Sequence, residues 1–224
     1  FKFRATLKAN PSFTDEVTGI ATVGTTKADA RAPGSTIVSG VEVGSGNLAL
    51  SANDLYIKGR GLSLEITRHY NSVAADRFSS LGYGWKHNYQ VSLIRHNAEG
   101  QSAIYEIMSG EGGSPVFNAA EIQNGEISAK APYQSKLVPN GDGSFDYFTK
   151  NRIRYHFANA LEADSPTAYM GNLSYIEEPN GNRIAFSYDS FGRLSRATDS
   201  SNRTLTFSYE LADTPFAGAD ISDN

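Results

Sequence analysis

Histidine is the side chain best suited to acid–base or metal chemistry near neutral pH, and the four here stand at 69, 87, 96 and 156. No two hold the i, i+4 or short-loop spacing that presents a metal pair. His69 and His87 could converge with Asp54 or Asp76, but histidines scattered in this way are far more often structural or solvated. Asn140-Gly141-Asp142-Gly143 and Asn53-Asp54 have the look of calcium loops. The first lacks the distal Glu of an EF-hand and reads better as a hairpin turn. The Gly44/Gly46 and Gly59/Gly61 pairs would suit a phosphate loop only if one opened a helix, and strand patterns flank both. No Ser sits in a Gly-x-Ser-x-Gly elbow. Glu177 and Glu178 are neighbours, so on a strand they point to opposite faces and cannot share acid–base work. The expectation is a chain without a catalytic site, metal or cofactor.

The composition narrows the class further. Among 224 residues the hydrophobic share is 39%, with 21 glycines besides, which is globular and not disordered. Twelve Tyr and twelve Phe against two Met and one Trp favour strands over helices. A net charge of −4 argues against a nucleic-acid partner, which wants a basic face. Without cysteine there is no disulfide frame and no thiol nucleophile. No apolar run reaches the ~18 residues of a membrane-spanning helix. The chain opens on Phe1 and not Met, so it is expected to be an excised or processed piece.

The strongest organisation is a repeat. Gly171-x-Leu173 recurs as Gly192-x-Leu194, and Ile184-Ala185-Phe186-Ser187-Tyr188-Asp189 as Leu205-Thr206-Phe207-Ser208-Tyr209-Glu210, every matched pair 21 positions apart. Such a unit must stack on copies of itself to bury its apolar face. Within it the apolar period is two, which puts Ile184, Phe186 and Tyr188 on one strand face and Leu205, Phe207 and Tyr209 on the equivalent one. Pro179-Asn180-Gly181 is a turn in which Gly181 supplies a positive φ. Asn202 stands at the same place in the second copy, and Gly192 marks the alternate turn. Each unit therefore reads strand, turn, strand, turn.

Phe186-Ser187-Tyr188-Asp189-Ser190-Phe191-Gly192-Arg193-Leu194, with Gly-x-Leu and the Pro-Asn-Gly turn before it, resembles the YD repeat of the RHS (rearrangement hotspot) and teneurin-like proteins. A second stretch resembles the domain that opens RHS proteins ahead of their repeats. It runs through Gly46-Asn47-Leu48, Asp54-Leu55-x-Ile57-x-Gly59-Arg60-Gly61-Leu62 and Arg68-x-Tyr70-Asn71-Ser72 to Leu81-Gly82-x-Gly84-Trp85. The resemblance implies a spiral of repeats forming a hollow shell around a C-terminal toxin or effector region of the same polypeptide, at the bacterial surface or secreted. Secretion machinery or surface carbohydrate are the further partners it suggests, and an adhesion module that binds carbohydrate is the rival function. The aspartyl motif with which self-cleaving members act has no counterpart here.

These elements place an all-β fold of antiparallel hairpins in a curled sheet. Its divisions are an N-terminal strand and connection (1–40), a β domain (41–140), and degenerate then regular repeats (141–224). Phe1 to Lys8 is expected as an edge strand, Thr18 to Val23 as a strand, and Thr25 to Gly34 as a mobile connection. A polar turn is expected at Asn53-Asp54, between the Leu48/Leu50 and Leu55/Ile57 strands, and a short helical turn over 118–122. Trp85 is expected in the core, where its indole N–H would find a carbonyl, and not as an exposed sugar platform. Asn151-Arg152-Ile153-x-Tyr155-x-Phe157 echoes Asn182-Arg183-Ile184-x-Phe186-x-Tyr188, so a degenerate unit is expected to begin near Gly143, with no linker before the array.

Overall fold

The computed structural model describes residues 3–10, 13–19, 37–42, 46–76, 79–96, 100–110, 114–158 and 167–209. Alternating apolar and polar residues, broken by Gly, Asn and Asp, make strands almost throughout. At the N-terminal side lie β1 (Phe3–Asn10), β2 (Phe13–Gly19), β3 (Ile37–Val38) and β4 (Val41–Glu42). Next come β5 (Ala49–Ile57), β6 (Leu64–Asn71) and β7 (Trp85–His87), a separate three-stranded antiparallel sheet. The chain continues through β8 (Ser92–His96), β9 (Ile104–Met108), β10 (Val116–Asn118), β11 (Ile127–Ser128) and β12 (Lys136–Pro139). It ends its described course in β13 (Phe145–Phe148), β14 (Arg154–Phe157), β15 (Thr167–Glu177), β16 (Arg183–Tyr188), β17 (Leu194–Asp199) and β18 (Thr204–Tyr209).

One thirteen-stranded sheet organises the rest. From β11 to β18 each strand pairs with the next, and β1 and β2 follow on beyond β18. The eleven-residue β15 is the junction. Its first half pairs with β8, from Thr167 opposite His96 to Asn172 opposite Ser92, while its end pairs with β14 and β16. β8, β9 and β10 thus branch from the same strand that carries the repeats, so the sheet crosses from the 41–140 region into 141–224. Lys130 N–H donates to Val116 C=O at 3.2 Å, which brings the β10 side back against the stretch after β11. The strands from β8 to β15 curl almost closed around Leu93, Ile107, Phe117, Leu137, Phe145 and Phe157, all buried.

The three-stranded sheet lies over the inner face of the repeat strands. Leu64 and Ile66 share one apolar cluster with Ile184, Phe186, Leu205 and Phe207. The Tyr89 ring meets Phe186 at 4.9 Å between centroids, and His87 stacks on Phe207 at 6.4 Å. Burying each such side chain contributes about 1.5–3 kcal/mol, so this lid is what makes a one-sided hairpin array stable. Phe186 and Phe207 thus form a packing layer beneath this sheet.

Four local expectations need correction. β1 is no edge strand, since it lies between β18 and β2. Asn53-Asp54 makes no turn: β5 runs through it, with a register shift between Asn53 and Leu55. A β-bulge absorbs the extra residue while the strand keeps its direction. The expected strand over 18–23 is β2, which comes earlier and ends at Gly19; the rest of it, and the 25–34 connection, fall outside the described residues. Trp85 is half-buried and outside the apolar cluster. The helical turn near 118 is a 3₁₀ turn at Ala119–Glu121, capped by Asn118, whose side-chain Oδ1 accepts from Ala120 N–H.

Candidate functional site

Five hairpins of the large sheet, β12–β13, β13–β14, β15–β16, β16–β17 and β17–β18, close with one and the same turn. In each, the N–H of the first residue donates to the C=O of the fifth, and the N–H of the fourth donates back to the C=O of the first. The pairs are Asn140/Ser144, Thr149/Ile153, Glu178/Asn182, Asp189/Arg193 and Asp199/Arg203. The fourth residue has positive φ every time: Gly143, Arg152, Gly181, Gly192 and Asn202, from +60° to +85°. This is the three-residue hairpin loop, a type I turn followed by a left-handed residue. Gly181, Gly192 and Asn202 hold the conformation expected of them, and the Gly143 and Arg152 turns extend it back into the degenerate unit.

The Tyr and Asp of the repeat have matching structural duties. Tyr188 hydroxyl donates to Leu173 C=O and Tyr209 hydroxyl to Leu194 C=O, both at 2.8 Å, so each tyrosine ties its strand to the leucine of Gly-x-Leu one half-unit back. The Asp189 carboxylate accepts from Phe191 N–H and Arg193 N–H at 2.9 Å and from Arg193 Nε at 2.8 Å. Asp199 repeats the pattern on Ser201 N–H, Arg203 N–H and Arg203 Nε at the same distances. Burial works against ionising Asp189, but the Arg193 main-chain and side-chain donors outweigh it and hold the carboxyl below its ordinary pKa. The Asp199–Arg203 staple was missed in the sequence, although Asp-Ser-Phe-Gly-Arg and Asp-Ser-Ser-Asn-Arg, ten residues apart, spell it out.

The residues quoted around β5 to β7 also come together. Arg68 makes a two-pronged ion pair with Asp54, the bulge residue, and its guanidinium lies over the Trp85 ring 5.2 Å from the centroid. Tyr70 packs against the same indole at 5.3 Å. Gly84, at φ +72°, passes under that tyrosine, where a Cβ would meet the ring at 2.7 Å. Asn71 N–H donates to Gly84 C=O, and Asn71 caps the following 3₁₀ turn by accepting from Val73 N–H. Ser72 hydroxyl donates to Asn47 and accepts from Leu48 N–H. Gly82 also has positive φ, and Arg60 is exposed.

Two bonds of geometry join this sheet to the repeats. A Cβ on Gly61 would fall 2.1 Å from Glu178 Oε2, so the β5–β6 turn sits directly on the first repeat turn. Gly59 is held as closely by Leu62 C=O. Arg203 Nη1 reaches across to Lys58 C=O at 2.8 Å, so the second staple doubles as a clasp on the covering sheet.

Further polar side chains pair with one another across neighbouring strands. On β13 to β16, His156 bonds Asp146 at 2.7 Å and stacks on Tyr175 at 4.6 Å. Arg154 and Arg183 both pair with Glu177, and Arg183 lies 3.8 Å over the Tyr175 ring. Such a ladder spends its charges on itself. His69 bonds Ser51 through Nδ1 at 2.8 Å. His87 is buried at 6% exposure, and burial, with His69 beside it, lowers its pKa to about 4, so the ring stays neutral. It lines a cavity of about 200 Å³ with Gln90, Tyr188 and Arg193, at the seam between sheet and repeats. Among the described residues no three His, Cys, Asp or Glu side chains gather as a metal site, and no helix is long and apolar enough to cross a membrane.

Comparison with known families finds two matches. Residues 171–204 match the RHS repeat, and residues 39–112 match a domain of unknown function, DUF6531. A comparison with curated proteins gave no match.

Proposed function

From the premise that the chain is an RHS/YD-repeat protein, whose repeats are structural, we propose that it forms a wall segment of a β shell enclosing a C-terminal toxin or effector region of the same polypeptide. The observation that carries this reading is the covered repeat face. The three-stranded sheet seals the apolar side of the first repeats, Leu64 and Ile66 against Phe186 and Phe207, so the array extends only through its strand edges. A wall with one covered face and repeated, self-stapled hairpins is built for enclosure and not for turnover, and the segment itself performs no catalysis. Its place is outside the cytoplasm, secreted or at the bacterial surface, reached through secretion machinery. A carbohydrate platform at Trp85 gains little support, because Arg68 and Tyr70 already cover that ring.

Limited proteolysis of the whole polypeptide tests the reading. The C-terminal region should resist cleavage, and Ile66→Asp, which unseats the covering sheet, should expose it. Cleavage of that region at the same rate with and without the segment would overturn the proposal.

A further inference from the structure

The strand that follows β18 in the thirteen-stranded sheet is not another repeat strand but β1, from the far end of the chain. Its register has a counterpart. In the repeat, β16 meets β17 with Ala185 opposite Thr198, Phe186 opposite Ala197 and Ser187 opposite Arg196. One unit of 21 residues later, β18 meets β1 with Thr206 opposite Thr6, Phe207 opposite Ala5 and Ser208 opposite Arg4. Arg4-Ala5-Thr6 thus occupies the places of Arg196-Ala197-Thr198, and the two tripeptides are identical in sequence. The match continues into the next strand. Ala5 stands opposite Val17 and Thr6 opposite Glu16, as Ala197 stands opposite Leu205 and Thr198 opposite Thr204.

We propose that the β18 edge is a strand-binding site selective for an antiparallel strand carrying Arg-Ala-Thr in this register, and that the β1–β2 hairpin is the chain's own ligand for it. Selectivity follows from the small residue opposite the aromatic. Ala197, across from Phe186, has no exposed surface, and Phe186 and Phe207 are buried on the side covered by the three-stranded sheet. A larger residue at that place has nowhere to go. An open β edge is a template for any passing strand, and a hairpin that imitates a repeat strand closes it. A repeat strand added after β18 competes with β1 for the same N–H and C=O groups.

The chain has no cysteine, so cross-linking gives a clean test in the full chain. Thr6→Cys with Thr206→Cys places two thiols directly opposite each other. Lys8→Cys with Thr206→Cys is shifted by two residues, about 7 Å along the strand, beyond a disulfide's reach. Under mild oxidation the first pair should give an intramolecular disulfide and the second none. Adding Ala5→Phe to the first pair should abolish the cross-link, whereas Ala9→Phe should leave it. Equal cross-linking of both pairs, cross-links only between molecules, or a cross-link indifferent to Ala5→Phe would each overturn the proposal.

Discussion

Replacing Asp199 by Ala removes the acceptor of two main-chain N–H groups and of the Arg203 guanidinium at one stroke. Breaking a buried ion pair from one side costs about 3–5 kcal/mol, and an exposed one rarely more than about 1. The Asp199 side chain is 6% exposed and Arg203 22%, which puts this pair near the lower end of the buried range, about 3 kcal/mol. The sister staple is wetter, with Asp189 at 24% and Arg193 at 30%, so Asp189→Ala should cost about 1–2 kcal/mol. For a chain of this size each kcal/mol moves Tm by about 2–4 °C. Thermal unfolding followed by circular dichroism should therefore show a drop of about 6–12 °C for Asp199→Ala and roughly half that for Asp189→Ala. Asp199→Asn, which retains an oxygen for the main-chain donors, should recover part of the loss. Equal shifts at the two sites, or a shift below about 2 °C at Asp199, would refute the argument that burial sets the value of the staple.

Gly181→Val should destabilise by more than about 1 kcal/mol through the backbone alone, because no heavy atom lies within 4 Å of the added Cβ while φ stays at +85°. Gly181→Asn should be nearly neutral, as Asn202 shows at φ +60°, and an unchanged Tm for Val would sink the turn assignment. Acid titration should expose His87. Its folded pKa lies below the unfolded value of 6.5, so its stabilisation is complete above 6.5 and falls away as the pH drops toward about 4. His87→Phe should flatten the Tm-against-pH slope in that window, and an unaltered slope would remove His87 as its source.

Much of the repeat was legible because its signals are local. The two-residue alternation placed Ile184, Phe186, Leu205 and Phe207 inward, and φ tolerance marked Gly181, Gly192 and Asn202. What was hidden depends on partners distant in sequence. The clue beside Phe3, an Arg4-Ala5-Thr6 that copies Arg196-Ala197-Thr198, shows only when the two distant stretches are compared, so the strand read as an edge. Asn53-Asp54 carries turn residues, but Arg68 on the facing strand holds Asp54 in a bulge instead. Trp85 looked like a core anchor because tryptophan usually is; a guanidinium from 17 residues upstream holds it instead in a half-buried stack outside the apolar cluster. Asp199 was overlooked for the opposite reason, since only comparison of the two turns with each other reveals it.

The tyrosine-to-carbonyl bonds each span 15 residues and the aspartate staples four. Within the array, then, cohesion reaches back no further than the neighbouring unit. A gene for such an array can gain or lose whole 21-residue modules by recombination and keep the spacing of these bonds, whereas a shorter deletion between a tyrosine and its leucine shifts the hydroxyl off its carbonyl. Length becomes a heritable variable that comes in fixed steps, free to drift between descendants while the stitching stays the same.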